Sequence, residues 1–149
     1  MKSVGAIALA AAFAAGLYVH AQSNASEEAA VREALSHYLQ GHATGKGEEF
    51  SKAFHPESKL FWIADGGLKT RTSAEYIAGA TGKPAPDEDK RRRKITMVDI
   101  AGNAAVARIE LDYPDVKFTD YMSLLKIDGR WQIVNKIFYA DRRPARTAN

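Results

Sequence analysis

Asp120 and Asn135 are the side chains of this chain best placed to do chemistry. They lie in the ribbon Phe118 to Tyr139, FTDYMSLLKIDGRWQIVNKIFY. Asp128-Gly129 sits at its centre, and Asp-Gly adopts the positive φ angles of a type I′ turn, whose twist matches that of flanking strands. A two-residue turn fixes the register. It sets Ile127 opposite Arg130, Lys126 opposite Trp131, Leu124 opposite Ile133, Met122 opposite Asn135, Asp120 opposite Ile137 and Phe118 opposite Tyr139. One face then carries Phe118, Asp120, Met122, Leu124, Lys126, Trp131, Ile133, Asn135, Ile137 and Tyr139. It is the more apolar face and is expected to meet the core. A carboxylate and an amide there cost free energy unless they are hydrogen-bonded or border a wet cavity. Asp120 is therefore either a general base, if burial raises its pKa, or a structural acceptor bonded to Arg108, Asn135 or backbone amides.

Other groups join this candidate site. Trp62, Tyr76, Tyr113, Phe118, Trp131 and Tyr139 either line the cavity of a flat apolar ligand or simply build the core. Tyr139, ending a strand, is expected to keep a hydroxyl at the rim. Asn135 can orient a ligand carbonyl, and Met122 and Arg108 complete the expected ligand-lining set. His55 is either a base near the pocket mouth or a cap on a short helix, where a positive charge suits the dipole. His37 and His42 are five apart and share a helix face poorly. With four histidines in all and no cysteine, no spacing matches a metal site. No metal and no cofactor are expected.

The reverse face of the ribbon carries Tyr121, Leu125, Val134, Lys136 and Phe138 among polar residues. That is more apolar surface than a solvated sheet face needs. These five are expected to form a homodimer interface.

The elements that position these groups follow from pattern. A helix from Asn24 or Ser26 to about Gln40 has Val31, Ala34, Leu35, Tyr38 and Leu39 on one face, and Gly41 with Gly45-Lys46-Gly47 ends it. A short helix covers about Glu48 to Phe54 and stops at His55-Pro56, since the residue before proline disfavours the α region. Lys59 to Ala64 reads as a strand, Asp65-Gly66-Gly67 as a turn and Leu68 to Thr70 as a short return. Thr72 and Glu75 have the spacing of a capping box and open a helix to about Ala80. Asp87 to Lys94 is acidic, then basic, and reads as a solvated, self-paired loop. Strands Ile95–Ile100 and Ala104–Asp112 follow, then the ribbon. Helices first and hairpins after give an α+β domain, a curved antiparallel sheet with helices on its concave face and a cone-shaped cavity between.

The termini lie outside this domain. Residues 1–21 pair Lys2 with an apolar run of roughly 16 residues, short of the ~20 needed to span a bilayer. With small residues before Gln22 they read as a signal peptide cleaved after Ala21, so the protein is expected to be secreted or periplasmic, with no membrane attachment after cleavage. Residues 22–140 form the domain and 141–149 a disordered tail. Of 149 residues, Lys and Arg number 21 and Asp and Glu 18, a formal charge of +3. Cleavage removes only Lys2 among the charges. That near-balance argues against a dedicated nucleic-acid binder. Without cysteine, thiol chemistry and disulfides are excluded as well.

The chain from about Glu27 to Tyr139 resembles the nuclear transport factor 2-like superfamily and, within it, the SnoaL-like and lumazine-binding-like families. The resemblance is carried by Tyr38 and Gly41 at the end of the first helix, Phe54-His55-Pro56, Gly102-Asn103-Ala104, and Asp120-Tyr121, Leu124, Asp128-Gly129-Arg130-Trp131, Ile133-Val134 and Lys136. It implies the cone fold and a sheet-against-sheet dimer. Such families often carry an acidic residue after the glycine that follows the first helix, where this chain has Lys46. Because the superfamily hosts binders, enzymes and silent dimers alike, three functions are expected as alternatives. The first is a binding module for a small apolar or aromatic molecule. The second is an isomerase or dehydratase with Asp120 as base and a tyrosine at the oxyanion. The third is an interaction protein whose pocket its own side chains fill.

Overall fold

A computed structural model describes residues 25–143. Helix α1 spans 25–44, four residues beyond the expected end at Gln40. Gly41 does not cap it. A Cβ there would lie 2.5 Å from the Phe50 ring, so this glycine is a close-packing site where α2 (Gly47–Ala53) crosses α1. The helix ends at Gly45, in the left-handed region at φ +71°, the conformation glycine adopts without a Cβ clash. The extra turn brings His42 onto the helix, one turn after Tyr38, so the two side chains share a face.

Strand β1 (Phe54–Ala64) begins directly at the end of α2, earlier than Lys59. It turns at Asp65-Gly66, both at positive φ, into β2 (Gly67–Thr72). Helix α3 (Ser73–Ala78) opens with the capping box: Thr72 Oγ1 accepts from the Glu75 amide at 3.2 Å, and Glu75 Oε2 accepts from the Thr72 amide at 2.8 Å. A 3₁₀ turn (Glu88–Lys90) leads to β3 (Arg92–Ala101), so Arg92, Arg93 and Lys94 of the expected loop are already strand. β4 (Ala104–Tyr113), β5 (Val116–Ile127) and β6 (Arg130–Arg142) complete the chain. Asp141 and Arg142, expected in a frayed tail, pair with β5, and the Arg143 amide donates to the Asp115 carbonyl at 2.9 Å. The expected signal segment lies outside the described residues.

The six strands form one sheet in the order β2-β1-β6-β5-β4-β3. Neighbours are antiparallel except β1 and β6, which run parallel. The register slips between β1 and β6, between β3 and β4, and between β5 and β6. Such irregularities bend a strand and increase its twist, which curls this sheet around the helices. Val31, Leu35 and Tyr38 of α1 and Phe50 and Ala53 of α2 fill the hollow against Ala107, Ile109, Leu111, Met122, Leu124 and Ile133. This is the α+β cone. Among the described residues, no helix is long and apolar enough to cross a membrane.

The slip between β5 and β6 changes the ribbon. Turn and first pairs follow the expected register: Ile127 with Arg130, Lys126 with Trp131, Leu124 with Ile133. Then Ser123 pairs with Asn135, Met122 with Lys136, Tyr121 with Ile137, Asp120 with Phe138 and Thr119 with Tyr139. One extra residue, Val134, sits in β6 as a bulge. Everything after it reverses face. Lys136 and Phe138, expected on the outer face, point into the cone. Asn135, Ile137 and Tyr139, expected inside, lie on the outer side.

Candidate functional site

The bulge brings a cation to the buried carboxylate. Asp120 is completely buried and Lys136 is 4% exposed. Lys136 Nζ donates to Asp120 Oδ2 at 2.9 Å and to the Tyr38 hydroxyl at 2.6 Å, and that hydroxyl donates to Asp120 Oδ2 at 2.6 Å. The three groups come from β5, β6 and α1, so sheet and helix must both be in place before the triangle closes. Rings surround the ammonium: Nζ is 4.8 Å from the Phe138 centroid, 5.0 Å from Tyr38 and 5.6 Å from Tyr76, within cation–π range.

Burial sets the proton affinities. It pushes the Lys136 ammonium below the usual lysine range, against the opposing pull of the Asp120 carboxylate. Burial first, and the Asp120 charge second, hold the Tyr38 phenol well above its usual range, so it remains a donor. An ammonium has three N–H groups. Two are used by Tyr38 and Asp120, which leaves one without a protein partner among the described residues. Asp120 Oδ1 is likewise buried with no partner among them.

Lys136 forms part of the wall of a cavity of about 430 Å³, within the range of small-molecule sites. The remaining walls are His42 from α1, Leu60 and Trp62 from β1, Arg71 from β2, Tyr76 from α3, Arg91, Leu111, Tyr113, Val116, Phe118 and Phe138. Trp62 and Phe138 stack with centroids 5.4 Å apart at 24°, and Phe118 meets Phe138 edge-on at 6.0 Å. The Arg71 guanidinium lies over Trp62 at 5.7 Å and Arg91 over Tyr113 at 4.3 Å. Arg91 is paired with Asp87 at 2.8 Å, whereas Arg71 makes no ion pair among the described residues. The cavity thus has aromatic walls, one ammonium at its inner end and guanidinium groups towards its mouth.

His42 is the second titratable group on this wall. Its Nε2 shares a hydrogen bond of 2.9 Å with the Tyr76 hydroxyl, and its ring meets Tyr38 edge-on at 4.7 Å. Burial, and then the charges of Lys136, Arg93 and Arg91, hold its pKa well below the usual histidine range. It is a neutral imidazole at pH 7. Arg93 braces this corner, donating to Glu88 at 2.6 and 2.7 Å and to the His42 carbonyl at 3.2 Å.

Of the expected ligand-lining residues, Trp62, Tyr76, Tyr113 and Phe118 border this cavity. Met122 is core. Trp131 is outside this cavity, and its indole N–H donates to Glu27 at 2.9 Å beside the Lys126–Glu27 pair. Arg108 pairs across the sheet with Tyr121 and donates to Glu110 at 2.8 Å, on the outer face. Asn135 and Tyr139 lie on that side as well, and Tyr139 is 67% exposed. Asp120 is bonded neither to Arg108 nor to Asn135 and does not itself line the cavity. His55 is the second residue of β1, where its Nδ1 accepts from the Glu57 amide at 3.1 Å, away from the cavity wall. Of the expected dimer residues, Tyr121 and Leu125 are exposed, Val134 is half-buried, and Lys136 and Phe138 face inward.

The groups missed from sequence are Lys136 as an inward residue, His42, and the Tyr38 hydroxyl. One signal was available for the first. A buried carboxylate needs a cation or several donors, and Lys136 is one position from the residue assigned inward. A larger groove of about 550 Å³ near Glu27, Asp99 and Lys126 holds no comparable buried charge. Among the described residues, no three His, Asp or Glu side chains group as metal donors.

Comparison with known proteins bears on the whole domain. The model of a family described as "Putative lumazine-binding" matches residues 26–139. An NTF2-like protein of unknown function from Shewanella baltica OS155 is 28% identical with a TM-score of 0.72, over 80% of this chain and 97% of that one. An NTF2-like protein of unknown function from Methylobacillus flagellatus KT is 31% identical with a TM-score of 0.66, over 78% and 93%. A curated relative, Aldolase FrzH from Cladobotryum sp, is 25% identical over 105 residues, 69% of this chain and 82% of that protein.

Proposed function

This chain belongs to the putative lumazine-binding family of the NTF2-like superfamily, and on that premise we propose that its cavity binds a small, planar organic molecule bearing a carbonyl or carboxylate oxygen. The observation that carries this reading is the Lys136 ammonium on the cavity wall, with one N–H unused by the protein. A charge-assisted hydrogen bond in a water-poor site is stronger than one between neutral groups, so an acceptor on the ligand is favoured at that end. Trp62, Phe118 and Phe138 suit a flat ring. Arg71 suits a second, anionic group at the mouth.

The test is native mass spectrometry of protein purified from its own source, followed by binding of the retained molecule to wild type and Trp62→Ala. The alanine variant is expected to bind about tenfold more weakly, the loss of one aromatic contact. Equal affinity removes the cavity as the site.

A second reading is an enzyme acting next to a carbonyl, favoured by a relative that is itself an aldolase. The isomerase or dehydratase form of this reading used Asp120 as a base against substrate. Asp120 stands behind Lys136, so any proton it moves passes through that lysine. Against the third alternative, a filled pocket, stands the cavity volume.

Export and dimerisation belong to the same proposal. Residues 1–21 support export, and N-terminal sequencing of the exported protein is expected to begin at Gln22. The outer face supports a homodimer.

A further inference from the structure

We propose that Lys136 is a covalent amine catalyst, whose Nζ condenses with the carbonyl carbon of an aldehyde or ketone bound in the aromatic cavity to give an iminium. The proposal rests on that cavity being the ligand site and goes further, naming the ligand class and the reacting atom. It fits an enzyme that makes or breaks a carbon–carbon bond beside a carbonyl.

Three features of the geometry carry it. Among the described residues, the amine is the only lysine on the cavity wall. It is held in one place by Tyr38 and Asp120, so attack does not require ordering a flexible side chain. A proton acceptor, Asp120 Oδ2, lies 2.9 Å from Nζ. A nucleophilic lysine must be neutral, and desolvation is the usual means of making it so. Burial acts in that direction on Lys136. Where both side chains are buried, as here, charge separation between amine and carboxylate is favoured less than it is in solvent.

The steps balance. Asp120 takes a proton from the ammonium and becomes a carboxylic acid. The amine lone pair forms a C–N bond to the carbonyl carbon, and the C=O π pair moves to oxygen. That oxygen takes a proton from the nitrogen, through the Tyr38 hydroxyl 2.6 Å from Nζ, to give a neutral carbinolamine. The proton held by Asp120 returns to the carbinolamine nitrogen 2.9 Å away, the nitrogen passes one of its protons to the carbinol oxygen, the C–O bond breaks and water leaves. The product is an iminium with the Asp120 carboxylate as counter-ion; overall, ammonium and carbonyl become iminium and water. The iminium draws electrons from the neighbouring carbon and makes its hydrogens acidic. The neutral imidazole of His42 is on the same cavity wall to receive such a proton.

The experiment uses the wild-type protein, so no variant need fold. 4-Hydroxybenzaldehyde, and hexanal as an aliphatic probe, are incubated with the protein and sodium cyanoborohydride, and reduced adducts are located by peptide mapping. 4-Hydroxybenzamide, which has the shape of the first probe and forms no imine, is titrated separately against the Trp62 indole NMR signal and added as a competitor. Lys136 is expected to be modified roughly tenfold faster than exposed Lys52 or Lys69, because burial lowers its proton affinity and leaves more of it as the free, nucleophilic amine, and the amide is expected to protect it. Adducts confined to exposed lysines while the amide shifts Trp62 overturn the covalent role and leave the cavity as a binding site. Neither amide binding nor modification of Lys136 overturns both. As a second check, Tyr38→Phe retains the amine and its carboxylate. It is expected to slow adduct formation at Lys136 without changing amide binding; an unchanged rate removes Tyr38 from the proton path.

Discussion

Lys136 Nζ lies 2.9 Å from Asp120 Oδ2 because β6 carries one more residue than β5 between the Leu124–Ile133 and Ser123–Asn135 pairs. Without Val134 as the extra residue, Lys136 would stand opposite Tyr121 on the outer side and the carboxylate would be left alone in the core. Removing one partner of a buried ion pair typically costs about 3–5 kcal/mol, while replacing both by neutral groups is often nearly neutral. Asp120→Asn and Lys136→Met are each expected to lower stability by about that amount, and the double variant by much less than their sum. Urea unfolding of the four proteins checks this. Additive losses would mean that the two side chains do not act as a pair.

Tyr38 closes the triangle from the helix side. Its hydroxyl donates to Asp120 and accepts from Lys136, both at 2.6 Å. Tyr38→Phe keeps the ring and its packing against Phe50 and Phe54, but leaves two buried groups with a partner fewer. The expected loss is about 1–3 kcal/mol, measured by the same unfolding experiment, with the sheet unchanged in far-ultraviolet circular dichroism.

The parts of this architecture that follow from local pattern were legible in the sequence. Asp128-Gly129 set the turn and three pairs beyond it, Thr72 and Glu75 set the start of α3, and alternation marked β4 and β5. Val134 was not legible, because a bulge leaves no compositional mark when a valine takes the extra place. Its consequence was large, since a slip of one residue exchanges faces. Lys136, Phe138, Asn135 and Tyr139 were therefore all assigned to the wrong side. The anomaly pointing to the error is Asp120 itself, a core carboxylate offered Arg108, Asn135 or backbone amides as partners but no buried lysine. His42 was missed for a different reason. Gly41 was read as a helix end, whereas it serves close packing against Phe50, and only the longer helix puts His42 one turn past Tyr38.

The outer face retains the apolar surface that suggested a partner, with different members. Tyr121 pairs with Ile137, and both are about half exposed, as is Val106; Leu125 and Met97 add to the same side. A dimer built on this face is expected in light scattering at micromolar concentration. Ile137→Lys with Tyr121→Glu is expected to give a monomer that keeps its fold, since neither side chain supports the core. Lys136→Met is expected to leave the dimer intact, because that residue points inward. A wild-type monomer under these conditions removes the interface.

Acid titration probes the cavity wall through His42. Its pKa is held well below the usual 6.5 by burial and by Lys136, Arg93 and Arg91, with Asp120 and the Arg93-bound Glu88 as the nearby carboxylates. The unfolded chain takes up a proton at this histidine as pH falls through 6.5, and the folded chain does not. The unfolded state then binds more protons, so stability is full above pH 6.5 and declines below it, by at most about 1.4 kcal/mol per pH unit. Glu88 and Glu110 are held below the usual carboxylate range by Arg93 and Lys117 respectively, so their contributions are lost only at lower pH. Between pH 7.5 and 5.5 the urea midpoint of the wild type is therefore expected to fall, and that of His42→Gln to stay nearly level. Parallel slopes for the two proteins would place the acid-sensitive group elsewhere.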